Sequence, residues 1–409
     1  MKIWVLKVDI TPSEAIPLAG YAYRKGSASG VYDRIYSRIL LIDHVAVVSL
    51  ELLNVDEELW RIIADILSEN LGLSERDVIV TATHTHSAPI ASRELLLDLW
   101  GAEEYTGVVE RYREFIVDSI KKATKEHDII ESTLHAGRAV VEDISSNRVD
   151  PSGPIDREAV FLLDSKSNFI AVNFACHPTV LPPSNNMVSG DLAGAIMRLF
   201  EKTFRVSIYL NGAAGNISTR FTRRSRDYSE VTRLAELFYS QVARGIRNVE
   251  AIDGDVELKW EKMSVKTRRI PSISELDVLE ERLLSELKSS PLSEKSKSIE
   301  NSLLRIKILR SLSRYLERRE SITLHLAKLT IGEEFAAIFT PAEMFIEYQI
   351  ESKKASPYKY TMFVGYANGY VGYIPFRPLS EEVYEATVSL LDPSEYTRIH
   401  ETINKLLAR

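Results

Sequence analysis

The sequence predicts an α/β fold: a mixed β-sheet core with flanking helices and an inserted helical hairpin at about 272–321. Three observations carry this. Apolar runs of strand length alternate with longer amphipathic stretches of helical period. Several of these runs stop abruptly in polar turns rich in Gly, His or Asn, as strands do at the ligand-binding edge of an α/β sheet. Between about 272 and 321 the composition shifts to Leu, Glu, Lys, Arg and Ser, with two leucine stripes at helical spacing. At 409 residues the chain can bury a large core, and it is read as a single domain over 1–409.

Composition narrows the function classes. The net charge of −7 argues against a general nucleic-acid binder. No window approaches 18 uninterrupted apolar residues, so no membrane span is expected. The single cysteine, Cys176, forbids an intrachain disulfide and suits a reducing compartment. The first residues, Met1 to Asp9, are too short and too interrupted for a signal peptide, which makes a cytoplasmic location the expectation.

Taken in order, Ile3 to Val8 reads as a strand, followed by a glycine-containing loop from Gly20 to Val31 with Tyr21 and Tyr23. That loop is either a plain surface turn or part of a site wall. Arg38 to Ile42 and Val45 to Leu50 form a hairpin around Asp43-His44, with His44 as a turn residue. Leu59, Ile62, Ile63, Ile66 and Leu67 give Asp56 to Asn70 one apolar stripe, and Gly72 a stop. Tyr105 to His127 reads as a second helix, and Glu131 to Val141 returns to a strand with a structural His135. Glu158 to Leu163 and Phe169 to Phe174 are strands, Leu192 to Lys202 a helix, Arg205 to Leu210 a strand and Tyr228 to Val249 a helix. Two helices separated at Pro291 form the hairpin, which offers a surface for a homo-oligomer. Strands resume at Ile322 to Ile331, Phe335 to Phe339 and Tyr360 to Val364. Asp392, Pro393 and Glu395 sit where a capping box would start the last helix.

The chemistry gathers after the strands. Val78-Ile79-Val80 leads into Thr83-His84-Thr85-His86-Ser87-Ala88-Pro89. On an extended backbone the two imidazoles would face one side, as half of a zinc site. His177 follows the 169–174 run, Glu343 follows 335–339, and the small-residue stretch Asn211 to Ser218 follows 205–210. Two histidines from separate strands plus a carboxylate make a reasonable catalytic zinc set, which keeps an open position for water. His177 and Glu343 could instead be buried polar residues with ordinary partners. Arg220, Arg223, Arg224 and Arg226 read first as a solvated basic face.

Thr83-His84-Thr85-His86-Ser87-Ala88-Pro89 resembles the T-H-T-H-[SA]-[GA]-P stretch of the neutral/alkaline non-lysosomal ceramidases. Other landmarks follow in the family's order. They are Asp9-Ile10-Thr11-Pro12, Ala19-Gly20-Tyr21, Asn147-Arg148, Phe174-Ala175-Cys176-His177-Pro178-Thr179 with Ser189-Gly190-Asp191, Thr340-Pro341-Ala342-Glu343, and Asn368 to Tyr373. The resemblance implies a zinc-dependent amidase acting on an N-acyl amide, ceramide or a related compound. By carry-over His84, His177, Glu343 and Tyr373 would be zinc ligands. His86 would face the substrate, Ser218 would match the active-site serine and Arg148 the functional arginine. Tyr384 would match an oxyanion-assisting tyrosine, at a spacing one residue off. Asn216, Thr219 and Arg220 stand where the family's serine motif has Asp, Pro and Asn. The family's C-terminal immunoglobulin-like domain and secretion signal are expected to be absent. Two other readings stay open: a serine amidase with Ser218 as nucleophile, and a non-catalytic metal- or ligand-binding homologue.

Overall fold

In the computed structural model, which describes residues 1–21, 24, 26–93, 105–166, 168–289 and 294–408 (without the side chains of 294–298 and 301), the apolar runs assemble into three main sheets. The first holds, in spatial order, Val78–Ala82, Val45–Leu50, Tyr36–Ile42, Lys2–Asp9 and Ile130–Glu131. The second holds Val206–Asn211, Phe169–Phe174, Glu158–Asp164, Leu134–Val140 and Glu250–Ile252. The third holds Val256–Lys266, Ser321–Ile331, Phe335–Phe339 and Tyr360–Val364.

Strand side chains alternate between two faces, and the sheets use this alternation to share one core. Ile3, Val5, Leu40, Ile42, Val45 and Val47 of the first sheet meet Leu134, Val160 and Leu162 of the second and Leu329, Phe335 and Ala337 of the third. The intervening residues point outward, under helices. Trp4, Ile39, Leu41 and Val48 pack beneath Glu57–Leu71 and Thr106–Ala123. Phe161 and Val172 lie beneath Asp191–Phe200 and Tyr228–Gly245. Leu326 and Ile338 lie beneath Ile346–Ala355 and Tyr396–Leu407. Both faces are therefore covered, and each fully buried Val, Leu, Ile or Phe side chain contributes roughly 1.5–3 kcal/mol.

Each sheet is mostly antiparallel but contains one parallel pair: Val45–Leu50 with Val78–Ala82, Phe169–Phe174 with Val206–Asn211, and Phe335–Phe339 with Tyr360–Val364. A parallel pair brings two strand C-termini side by side. Here the three pairs deliver their ends to one place. Thr81 bridges to Ala367, Gly365 N–H donates to the Asn211 carbonyl, and the Asn211 side-chain amide donates to the Thr83 carbonyl at 3.1 Å. The expected gathering of chemistry at strand ends thus arises between sheets, not along the edge of one.

The helix over Asp56 to Asn70 runs Glu57–Leu71, capped by the Asp56 side chain and closed by Gly72 at φ 69°. The Tyr105 to His127 helix is shorter, Thr106–Ala123, and the Glu131 to Val141 strand narrows to Leu134–Val140. Val256–Lys266 has no counterpart in the sequence reading. It pairs along its whole length with Ser321–Ile331, and its alternating charged residues hide the apolar face. The hairpin is present as Ile273–Ser289 and Glu294–Leu316, joined through Leu276, Leu283, Ile306 and Leu309. Pro291 and Tyr23 lie outside the described residues. At the C-terminus, Asp392 caps a short 3-10 turn, Pro393–Glu395, and Glu395 pairs with Arg398 rather than completing a capping box.

Candidate metal centre

The strand Val78–Ala82 ends two residues before His84, and His84 adopts φ 68°. The two histidines therefore do not share one side of an extended strand. They converge because the chain turns through a left-handed residue at 84, a conformation that costs a non-glycine residue of order 1–3 kcal/mol and persists only where the surroundings over-determine it. The surroundings do so here. The backbone N–H groups of Thr83 and His84 donate to the carbonyls of Leu50 and Leu52, and the Tyr366 ring stacks on His84 at 4.1 Å between centroids.

His84 Nδ1 lies 2.7 Å from the Leu53 carbonyl, and His177 Nδ1 lies 2.6 Å from the Ala214 carbonyl. A carbonyl only accepts, so each Nδ1 carries the proton and each Nε2 presents a lone pair. Those two Nε2 atoms are 3.0 Å apart. Glu343 Oε2 lies 3.2 Å from one and 3.0 Å from the other, and His86 Nε2 is 3.3 Å from that of His84. The other carboxylate oxygen, Oε1, accepts from the Tyr370 hydroxyl. Two imidazole lone pairs and a carboxylate oxygen thus converge in a buried place beside His86 Nε2, an arrangement that suits a cation. Tetrahedral zinc, with ligands about 2.0–2.1 Å away, keeps its donors roughly 3.3 Å apart, which these separations match.

The electrostatics agree. Burial, then Arg148 and His84, bring His177 down to about 4. Burial and the neighbouring imidazoles hold His86 well below its ordinary value. Both are neutral near pH 7, as metal ligation requires. Burial works against ionising Glu343, but charge and N–H donation from the His84 and His177 rings outweigh it and hold the carboxyl well below the usual range; with both Nε2 atoms unprotonated, that counter-charge would fall to a bound cation.

Around this centre lie the other expected residues. Arg148 is buried. Its Nη2 donates to the Gly215 carbonyl and to the Tyr373 hydroxyl, both at 2.9 Å, and its Nε lies 3.0 Å from Glu385. Burial opposes its charge, yet Tyr373, Glu385 and Glu343 together keep the guanidinium firmly protonated. The Tyr373 ring lies parallel to His177 at 6.4 Å, and Tyr384, half exposed, packs edge-on against Tyr373 at 6.0 Å. Ser218 bridges to His177 through the backbone, while its hydroxyl accepts from Arg220 N–H at 3.2 Å. Cys176 is buried beside these groups, and Asp191 fastens the turn after His177 by accepting from Val180 and Leu181 N–H. His44 and His135 stand apart from the centre.

The loop at Gly20 is a wall of the site. Tyr21 packs edge-on against His86 at 4.9 Å, and Gly20 has φ 100°. A Cβ there would lie 2.4 Å from His86 Cγ. We expect Gly20→Ala to displace His86 and to cost about 1–3 kcal/mol of stability, read by urea unfolding. A neutral effect on stability would show that the loop moves freely away. Sequence reasoning did not assign Tyr366, Tyr370 or Glu385. The first two sit in the polar turn after Tyr360–Val364; Tyr370 also falls within the Asn368 to Tyr373 landmark, while position is the only signal for Tyr366.

A family model described as "Neutral/alkaline non-lysosomal ceramidase, N-terminal" matches residues 2–152, a stretch containing His84, His86 and Arg148. That match agrees with the resemblance carried by Thr83 to Pro89. Neutral ceramidase of Mycobacterium tuberculosis (strain ATCC 25618 / H37Rv) is 27% identical over 235 residues, 50% of this chain and 36% of that protein. The chain therefore aligns with little more than a third of that relative's length. The crystal structure of neutral ceramidase from Pseudomonas aeruginosa is similar with a TM-score of 0.75 and 16% identity, covering 99% of this chain and 74% of that one. A ceramidase complexed with C2 gives 0.73, 15%, 99% and 74%. The ceramidase fold thus extends over His177, Ser218, Glu343, Tyr373 and Tyr384, which lie beyond the N-terminal match.

Proposed function

We propose that this chain is a zinc-dependent amide hydrolase of that ceramidase family, which cleaves an N-acyl amide, ceramide or a related compound. The observation that carries the reading is the buried convergence of two bare imidazole nitrogens on one carboxylate oxygen, with Arg148 beside it. His84, His177 and Glu343 would hold the ion. His86 and Tyr373 complete the ring of groups around it. When bound, zinc supplies Lewis acidity and an acidified water.

The chain's own groups would do the rest. The Arg148 guanidinium, held by Tyr373 and Glu385, faces negative charge that develops on the amide oxygen, with the Tyr384 hydroxyl as a second donor. His86, neutral and with Nδ1 free of any partner among the described residues, would carry a proton to the leaving amine. Ser218 would position the substrate, since its hydroxyl partner is a backbone N–H and not a base. A cytoplasmic location fits the reading.

Elemental analysis of the purified chain, followed by turnover of N-acyl amides of graded chain length with and without chelator, tests this. We expect one equivalent of zinc and turnover that chelation abolishes. Turnover surviving chelation, with an acyl adduct on Ser218, would replace the reading with a serine amidase. Bound metal without turnover of any N-acyl amide would leave a binding protein.

A further inference from the structure

The arginines after Ser218 do not form a plain solvated face. Neighbouring Arg198 and Arg233 find carboxylates, on Asp33 and Glu230. Among the described residues, none of Arg24, Arg220, Arg223 and Arg226 takes part in an ion pair, in a chain with 58 acidic residues against 51 basic ones. The side chains of Arg24 and Arg223 are tied instead to the segments around the metal centre. Arg223 Nη1 donates to the Thr179 carbonyl at 3.1 Å, two residues past His177, and lies 3.4 Å from the Thr219 hydroxyl. Arg220 N–H donates to Ser218. Arg24 Nη1 donates to the Ala19 carbonyl at 3.0 Å and its Nε to the Pro183 carbonyl at 3.3 Å, while its Nη2 is buried without a partner.

Two ring contacts link this cluster to the centre. The Arg24 guanidinium lies 4.9 Å over the Tyr21 ring, and that ring meets His86 at 4.9 Å. Arg223 and Arg226 act electrostatically on the same tyrosine. Burial and the like charges of Arg226 and Arg220 press the Arg223 guanidinium below its ordinary value. Among the described residues, the one carboxylate that acts on Arg24 and Arg223 is Asp191, which is buried and already accepts from the Val180, Leu181 and Leu192 N–H groups. Four guanidiniums against one such carboxylate leave an excess of positive charge, and its cost is relieved when an anion binds among them.

We propose that Arg24, Arg220, Arg223 and Arg226 form an anion-recognising rim beside His86, and that the substrate is an N-acyl amide bearing a carboxylate or phosphate on its polar end. This rests on the amide-hydrolase reading above. The Arg24 and Arg223 guanidiniums, oriented by backbone carbonyls, suit a defined anionic group of a substrate better than a diffuse lipid surface.

Turnover of N-lauroylglycine, of N-lauroylethanolamine and of the latter's O-phosphate compares anionic and neutral polar ends at one chain length. We expect kcat/KM for an anionic member to exceed that for the neutral one by about tenfold or more, with the advantage shrinking as salt is raised. Whichever anionic member is preferred identifies the anion. Arg226→Gln and Arg223→Gln should each lower kcat/KM for the anionic substrate at least about fivefold more than for the neutral one, mainly through KM. Arg226 is exposed, so its variant keeps the test valid if Arg223→Gln fails to fold. Equal kcat/KM across the set, or an unchanged ratio in the variants, overturns the proposal and leaves the hydrolase reading intact. If no substrate turns over, the hydrolase reading fails. Calorimetric binding of N-lauroylglycine against N-lauroylethanolamine then decides the rim separately: anion-selective binding weakened by Arg226→Gln supports it, and equal affinities overturn it. Loss of binding to phosphatidylglycerol vesicles in the variants, with the substrate ratio unchanged, would make the rim a lipid-docking surface and overturn the proposal.

Discussion

His177→Ala is expected to empty the metal centre and abolish amide hydrolysis. His177 is fully buried, its Nδ1 is fixed by the Ala214 carbonyl, and its Nε2 sits 3.0 Å from both His84 Nε2 and Glu343 Oε2. Its removal takes away one of the few nitrogen donors and opens a void that water enters. Losing even a residue that supports a ligand costs about 10–100-fold in metal affinity, so loss of the ligand itself should exceed about 100-fold. Metal titration by competition with a chelator reads the first effect and turnover of the best N-acyl substrate reads the second. The variant's loss of melting temperature should be larger when zinc is present than when it is absent, because a bound ion stabilises the folded chain by RT ln(1 + [L]/Kd). Wild-type metal content in His177→Ala would remove His177 from the ligand set.

The second large effect is on stability and comes from Glu51. This residue follows Val45–Leu50 directly and precedes Leu52 and Leu53, whose carbonyls hold the backbone and imidazole of His84. Its side chain is fully buried and pairs with the equally buried Arg38, which also reaches Glu201 at 3.1 Å. Gly190 and Gly194 close over it so tightly that a Cβ on Gly190 would lie 2.0 Å from Glu51 Oε2. Burial pushes the Glu51 carboxyl up, and Arg38 and Arg198 pull it back. Breaking a buried ion pair from one side leaves an uncompensated charge and costs about 3–5 kcal/mol. We expect Glu51→Ala to lose stability in that range by urea unfolding, softened where Glu201 takes up Arg38. The double replacement Arg38→Met with Glu51→Leu should cost less than Glu51→Ala alone, since the buried pair leaves together and Glu201 keeps Lys7. A loss under about 1 kcal/mol for Glu51→Ala would mean that water reaches Arg38.

Much of the site was legible as residue types in order. The histidine pair, His177, the Asn211 to Ser218 stretch and Glu343 all stand in the sequence at the ends of apolar runs, where ligands gather. The roles of Arg148, Ser218, Tyr373 and Tyr384 came from the family resemblance and not from position. The helix Glu57–Leu71 was equally legible, because its cap, stripe and stop are all local. Val256–Lys266 was not, because its apolar positions alternate with charges and its partner strand lies some sixty residues away. The loop at Gly20 stayed ambiguous for a related reason: a glycine and a tyrosine mean nothing until His86 is seen against them.

What the sequence by itself determined is the set of local signals: the periods, the caps and the polar stops. The tertiary structure decided how those stops meet. His84 reaches His177 only because separate sheets, each with one parallel pair, turn their strand ends toward a common point. His84 and His86 converge through a left-handed turn, not through the alternation of a strand. Contacts between chain segments ninety or more residues apart obey packing and backbone hydrogen bonding, and neither leaves a mark in local sequence. The lone pairs of His84 and His177 became visible the same way, since the carbonyls of Leu53 and Ala214 that fix them carry no side-chain signature at all.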